Sequence, residues 1–371
     1  MTADSDFEIF LVASPGVEAV LCAEARAKGF AQAVEVKGGV TLMGGWPDVW
    51  RANLELRGAS RVLARIGEFR AMHLAQLDKR ARKLAWGDVL RNDVPFRVEA
   101  TCTRSRIYHS GAAAQRIERA IKEELGAPAS QDAGVCIKAR IDDDLCTIGI
   151  DTSGDPLHKR GHKQAVAKAP MRETLAAFFL SQCGYDGTGP VVDPMCGSGT
   201  FVIEAAEIAA GLKPGRSRSF AFEQLASFDA AAWTSMRAAD TRVTATRRFY
   251  GSDHDAGAIR MAEANAGRAG VAGAIAFQQL AIEHLSAPDG PPGLVILNPP
   301  YGDRIGDKQR LQSLYRSLGQ TLTTRFSGWR VGLVTSEASL AQATGLPFGP
   351  PAGPVSHGGL RVTLYVTGPL A

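Results

Sequence analysis

Apolar positions along this chain switch between two spacings, every second residue and every third or fourth, and the switches mark out its elements. Residues 8–14 predict a strand turned by Pro15-Gly16, and 17–28 a helix with Val17, Val20, Leu21 and Ala25 on one face and Gly29 at its end. Residues 33–37 and 39–43 read as strands joined at Gly38-Gly39, followed by a helix over 46–56. Val62, Ala64 and Ile66 alternate within a strand over 57–69, and a helix over 73–84 turns Leu74, Leu77, Ala81 and Leu84 inward and its basic residues outward. A strand over 96–101 and a helix over 110–125, with Ala113, Ile117, Ala120, Ile121 and Leu125 buried, come next. A hairpin of 136–141 with 145–150 around Asp142-Asp143-Asp144 completes an α+β pattern.

The second half keeps one order, strand then helix. A short apolar run through Val191 and Val192 ends in Asp193; a glycine turn follows, and 201–210 reads as a helix. A strand over 248–253 again ends in an acid and leads to a helix over 255–269. Strands follow at 274–277, 294–297, 329–335 and 360–366, with a helix over 311–326 carrying Leu311, Leu314, Leu318 and Leu322 on one face. Residues 347–354 are a proline-glycine loop. Such alternation predicts a largely parallel sheet covered on both faces, a Rossmann-like α/β domain preceded by the α+β region.

Composition narrows the class. The 371 residues favour two or three domains. Hydrophobic content of 45% and charged content of 22% are ordinary for a globular protein. No apolar run approaches the ~20 residues that span a bilayer, and the acidic N-terminus lacks an apolar signal segment. A cytoplasmic protein is expected. Cys22, Cys102, Cys136, Cys146, Cys183 and Cys196 form no C-x-x-C pair and no Cys/His zinc spacing, so they are expected to be reduced small residues, with no metal. The net charge of +4 is not spread evenly, and two stretches are locally basic. One is Lys159, Arg160, Lys163 and Lys168 against Asp155, with His158 and His162 beside them. The other is Arg57, Arg61, Arg65, Arg70, Lys79, Arg80, Arg82 and Lys83 against Glu68 and Asp78. Two basic patches suggest a polyanion held at defined points; the alternative is two solvated faces.

The chemistry centres on Asp193-Pro194-Met195-Cys196-Gly197-Ser198-Gly199-Thr200. Strand, glycine turn and helix make half of a βαβ unit, and the N–H groups of the helix favour an electron-rich group. A dinucleotide fingerprint would need glycine or alanine at 202, where Val202 stands, and a phosphate loop would need a lysine before Thr200. Taken alone, a packing turn explains the loop as well as a ligand does. About a hundred residues on, an apolar strand ends in Asn298-Pro299-Pro300-Tyr301. Together the two stretches resemble the class I S-adenosylmethionine-dependent methyltransferases that act on exocyclic amines. An amine whose lone pair is delocalised into a ring is a poor nucleophile. Hydrogen bonds from its two N–H groups to the Asn298 side-chain carbonyl and the Pro299 backbone carbonyl would pyramidalise it. Those bonds strengthen as charge develops. Pro299 and Pro300 stiffen the turn, and Tyr301 can stack on an extruded base. This chemistry needs no cysteine nucleophile, which disfavours Cys196 as one and argues against pyrimidine C5 methylation.

Ser105-Arg106-Ile107-Tyr108-His109-Ser110 with 114–118 looks like a THUMP domain, 151–161 like the joint after it, and 169–177 like the helix opening the catalytic domain. From residue 8 onward the chain is similar to the bacterial THUMP methyltransferases that modify guanine N2 in large-subunit ribosomal RNA. Longer relatives carry a second methyltransferase domain, before which this chain ends. The resemblance implies a ferredoxin-like subdomain over 1–56, a THUMP domain over 57–154, a basic linker over 155–168 and a class I methyltransferase domain over 169–371. It implies S-adenosyl-L-methionine as cofactor. Asp193 would stand at its methionine end and Asp253 at the ribose, with His254 at the adenine edge. Pro194, Cys196, Gly197, Gly199, Thr200, Arg172 and Thr174 would line the site. Ala281 stands where the family usually offers an Asp to adenine, leaving that contact unassigned. RNA is the expected partner, through Arg104, Arg106, Lys159, Arg160 and Lys163, and a monomer is expected. The alternatives are a transfer-RNA guanine-N2 enzyme, an adenine-N6 methyltransferase, and an RNA-binding protein whose second half is only scaffold.

Overall fold

The computed structural model describes residues 6–164, 171–238, 248–301 and 308–371. Lys168 of the basic joint and positions 169–170 lie outside the described residues. The chain falls into two compact units, Met1–Ala13 with Leu21–Leu157 and Arg218–Ala239, and Ser14–Val20 with His158–Ser217 and Asp240–Ala371.

The first unit holds one sheet of seven strands: β1 (Phe7–Val12), β2 (Val34–Val36), β3 (Gly39–Gly44), β4 (Arg61–Arg70), β5 (Phe96–Thr103), β6 (Val135–Asp142) and β7 (Leu145–Asp151). Their order is β2-β3-β1-β4-β7-β6-β5. Every pairing is antiparallel except β5 on β6. β1 pairs directly with β4, Ile9 opposite Ala64, so the stretches read as 1–56 and 57–154 share a single sheet. Helices α1 (Glu18–Ala27), α2 (Trp46–Glu55), α3 (Leu74–Ala81) and α4 (Ser110–Leu125) follow the apolar spacing. On α4 the residues buried are Ala113, Ile117, Ala120 and Ile121, one face of a 3.6-residue period. The β6–β7 hairpin turns through Asp143 and Asp144, both left-handed at φ 52° and 60°, as a two-residue turn of matching twist requires.

The second unit is a doubly wound sheet of β8 (Val191–Asp193), β9 (Phe249–Asp253), β10 (Ile275–Gln279), β11 (Leu294–Leu297), β12 (Arg330–Thr335), β13 (Val355–His357) and β14 (Leu360–Val366). Its order is β10-β9-β8-β11-β12-β14-β13; the first five are parallel and the last two antiparallel. Helices α5 (Glu173–Gln182), α6 (Thr200–Ala209), α8 (Ala256–Ala269), α9 (Lys308–Arg325) and α10 (Ala338–Ala343) belong here, while α7 (Ala230–Ala238) belongs to the first unit. All four residues of β11 are buried, and Leu318 and Leu322 of α9, with Phe326 directly after it, share one core with Val295, Leu297, Val331 and Leu333. The chain runs β8 to β9 to β10 in one direction, then places β11 on the other side of β8. Open α/β sheets bind ligands at such a reversal, beyond the C-terminal ends of the strands.

The sequence reading assigned no element to 213–247. In the structure Phe220, Phe222, Phe228 and Trp233 of that stretch gather with Trp50 of α2 in an aromatic cluster within the first unit. β13 and α10 were also without a prediction. Among the described residues no helix is long and apolar enough to cross a membrane.

Candidate active site

The reversal point carries the acids and the loop that the sequence singles out. Asp193 closes β8, Asp253 closes β9 and Asn298 follows β11, so three adjacent strands deliver them to one edge. Asp193 is buried, and its Oδ1 accepts the Met195 N–H at 3.1 Å. Burial, and then the charge of Asp253, hold its carboxyl well above the usual carboxylate range. Asp253 Oδ2 accepts the Gly197 N–H at 3.0 Å and its Oδ1 the Asp255 N–H at 3.0 Å. Each oxygen keeps a second lone pair for a further donor.

The loop between β8 and α6 depends on its glycines. Gly199 is left-handed at φ 84°, and a Cβ there would come within 3.1 Å of both Ala262 and Ile203. Gly197, at φ 51°, faces open space, so a ligand can approach its backbone closely. Cys196 N donates to Ser252 O at 2.9 Å, Gly199 N to Cys196 O at 2.7 Å, and Asn265 Nδ2 to Ser198 O at 3.0 Å. Pro194 is buried, and burial pushes the Cys196 thiol up, which leaves it unsuited to act as a nucleophile. Thr174 and Thr200 are buried near the starts of α5 and α6, and Arg172 is the exposed residue preceding α5. His254 is 87% exposed, its Nδ1 3.3 Å from Asp253 Oδ1. Ala281 is half-buried before a short helical turn and offers no polar side chain.

The turn after β11 is held from α9. Tyr315 Oη donates to Pro300 O at 3.3 Å and lies 3.4 Å from Thr335 Oγ1 at the end of β12. Tyr315 is fully buried, and burial raises its phenol pKa, so it stays protonated. Tyr301 is half-buried against the same core. Asn298 stands at the start of this turn, directly after β11. Its Oδ1 is buried and meets no hydrogen-bond donor among the described residues. An amide oxygen left so costs about 1–3 kcal/mol.

Two residues expected on RNA are corrected. Arg160 is 2% exposed and pairs with Glu204, itself 1% exposed, at 3.3 Å. Lys163 is nearly buried; its Nζ donates to Met171 O at 2.7 Å and to Thr200 Oγ1 at 2.9 Å and lies 3.3 Å from Glu173 Oε1. Neither side chain can reach a phosphate, because each answers a buried acid within the second unit. His162, also buried, stands 3.8 Å from Glu207 Oε1, which binds Arg216 Nη2 at 2.6 Å; burial lowers the imidazole pKa. Lys159 is exposed. In the first unit Arg104 and Arg106 are 74% and 72% exposed, Arg104 bonded to Asp142 and Arg106 3.9 Å from Asp144. Among the eight basic residues in the run from Arg57 to Lys83, Arg61 pairs with Asp151, Arg65 with Glu8, and Arg82 with Asp78, Glu123 and Glu124. Tyr315 and Glu173 did not emerge from the sequence as site residues. The signal for Tyr315 was present: it lies four residues after Leu311 on the buried face of α9.

Comparisons with known proteins place the chain in a family and match its fold. Residues 160–347 match the model of the RMKL-like methyltransferase domain, and residues 8–63 that of the RlmL ferredoxin-like domain. The chain is 36% identical, over 92% of its length, to the ribosomal RNA large subunit methyltransferase K/L of Syntrophotalea carbinolica, of which it spans about half, 51%. It is 30% identical, over 96% of its length and 95% of the relative's, to a Synechocystis protein provisionally named an RNA methyltransferase. Among solved structures, a Clostridium difficile protein described as a possible methylase superposes with a TM-score of 0.89 at 28% identity, covering 99% of each chain. A provisionally named methyltransferase complexed with SAH gives 0.86 at 27% identity, again over 99% of each.

Proposed function

The chain belongs to the family of RMKL-like methyltransferase domains, and from that premise we propose that it transfers a methyl group from S-adenosyl-L-methionine to the exocyclic N2 amine of a guanine in large-subunit ribosomal RNA. The observation that carries this reading is the buried, unanswered Asn298 Oδ1 beside the glycine loop's strand. A folded protein rarely keeps such an atom. An amine N–H is the donor it lacks.

The residues present fit the cofactor. Open space before Gly197 admits a ligand to the loop, Asp253 retains acceptor capacity for ribose hydroxyls, and Asp193 is a buried carboxyl that a ligand ammonium would stabilise as its anion. S-adenosylmethionine, when bound, supplies the methyl group. The chain's own part is orientation. Asn298 Oδ1 and the Pro299 carbonyl accept the two amine protons and leave the nitrogen lone pair facing the methyl donor. Both contacts tighten as the nitrogen becomes cationic, so they act mainly on the transition state. Tyr315 fixes the next carbonyl, that of Pro300, and so keeps the turn from rotating. Tyr301 supplies a ring for the base.

RNA contact is proposed for Arg104, Arg106 and Lys159, all exposed, with residues 57–154 as the RNA-binding part and 155–168 as the joint. The SAH complex of a structural neighbour and the names of the sequence relatives support the cofactor and the RNA substrate. The test is nucleoside analysis of ribosomal RNA, lacking its native methyl groups, after incubation with the protein and methyl-labelled cofactor. Label in N2-methylguanosine is expected. Label in N6-methyladenosine would move the substrate to adenine, and absence of label from any RNA would overturn the reading.

A further inference from the structure

Lys163 sits where a cation is electrostatically misplaced. Glu173 is the first residue of α5 and Thr200 the first of α6, and the ammonium touches both. Helix N-termini carry positive partial charge, so a lysine there opposes two dipoles at once. Burial adds to the cost and lowers the Lys163 pKa, with Glu173 opposing that shift. Glu173 offsets one charge, and the arrangement is balanced when a further anion lies nearby.

The hydrogen-bond pattern says what the lysine does. An ammonium has three protons and no lone pair. Met171 O and Thr200 Oγ1, at 2.7 and 2.9 Å, each take one, and Glu173 Oε1 lies 3.3 Å away as the partner in charge. Thr200 is therefore an acceptor towards Lys163, and its own proton points away from the lysine. Among the described residues that proton meets no acceptor. Thr200 follows Gly199 directly, at the N-terminus of the helix that the glycine loop opens.

We propose that Lys163 is a positioning residue for the carboxylate of the cofactor's amino-acid end: it locks Thr200 as a hydroxyl donor into the glycine loop, and the carboxylate accepts from that hydroxyl. Lys163 acts through Thr200 and does not itself touch the ligand. Met171 O and Glu173 hold the ammonium in place, and Asn265 fixes the Ser198 carbonyl two residues earlier in the loop. The proposal rests on the cofactor reading above.

The test is calorimetric binding of S-adenosylmethionine and of decarboxylated S-adenosylmethionine, which differ only in the carboxylate. The wild type should prefer the carboxylate form. Lys163→Met and Thr200→Val should each weaken binding of S-adenosylmethionine about tenfold, on the scale of one hydrogen bond to a charged group, and leave the decarboxylated form unchanged. Combining them should cost less than the sum of the two, since both act on one contact. Lys163→Arg should restore part of the loss. Should Lys163→Met fail to fold because Glu173 is left unpaired, Lys163→Met with Glu173→Gln removes both charges, and Thr200→Val leaves the ion pair intact. Equal losses for both cofactors, or a Thr200→Val protein that keeps the carboxylate preference, overturn the proposal. A wild type that binds both forms equally overturns it while sparing the cofactor reading; a wild type that binds neither overturns both.

Discussion

The loop after β8 and the turn after β11 lie on neighbouring strands, and they are finished in opposite ways. Beneath and within the loop, charges and carbonyls are paired: Asp253 with two backbone N–H groups, Ser198 O with Asn265, Lys163 with Glu173, and Arg160 with Glu204. At the turn the backbone is braced by Tyr315, but Asn298, the residue proposed to receive the substrate amine, keeps a buried oxygen that meets no donor among the described residues. Paired charges beneath the loop make a rigid seat. An unmet acceptor costs stability and, on the proposed function, receives its donor only with the substrate. Substitutions on the two sides should therefore separate stability from turnover.

The largest effect is expected beneath the loop. Arg160→Ala leaves Glu204 buried without its cation and should cost about 3–5 kcal/mol, read as a large drop in melting temperature. Arg82→Ala, which removes a cation from three surface acids, should hardly move the melt. Comparable melts for the two variants would show that the Arg160 pair is not an internal support. At the loop itself, Asp253→Ala should weaken S-adenosylmethionine by about 1–3 kcal/mol in calorimetry; unchanged affinity would remove Asp253 from the ribose. At the turn, Tyr315→Phe frees the Pro300 carbonyl and should lower kcat by a factor corresponding to about 0.5–1.5 kcal/mol with cofactor affinity intact. A fall in affinity instead would make Tyr315 part of the seat.

The smallest effect is in pH. The Asp193 carboxyl is raised by burial, so the folded protein binds its proton more tightly than the unfolded chain does. Stability of the free protein should then fall as pH rises from about 4 through the raised value. A cofactor ammonium would favour the charged form, so binding should release a proton and tighten with pH across that same window. Calorimetry in buffers of different ionisation enthalpy would detect the proton, and Asp193→Asn should abolish it.

How much of this was legible in the sequence depended on the range of the interaction. Strand and helix periods, the acid at each strand end, the glycine turn and the Asn-Pro-Pro-Tyr run are local patterns, and the structure places Asp193, Asp253 and Asn298 at one edge as those patterns implied. Partners were not legible. Arg160 and Lys163 read as a basic joint because Glu204 lies 44 residues after Arg160 and Thr200 37 after Lys163. Charge along a chain reports sign and spacing; whether a cation meets solvent or a buried acid is decided by the fold. Pairing of β1 with β4 across the expected boundary at 56 was hidden for the same reason, since register between distant strands leaves no mark in either one. The stretch over 213–247 carried neither period clearly, and its aromatic residues take their place from Trp50 in another part of the chain.

The central claim is that the Asn298 oxygen waits for the substrate amine. Three quantities measured on Asn298→Ala test it together: melting temperature, affinity for S-adenosylhomocysteine, and single-turnover methylation of RNA. Removing an unanswered buried acceptor should leave the melt unchanged or raise it, and affinity should stay at the wild-type value. The rate should fall by roughly 10²–10³, the scale for one preorganised transition-state partner. A variant that methylates at near the wild-type rate, or that loses cofactor affinity in step with rate, would contradict the account.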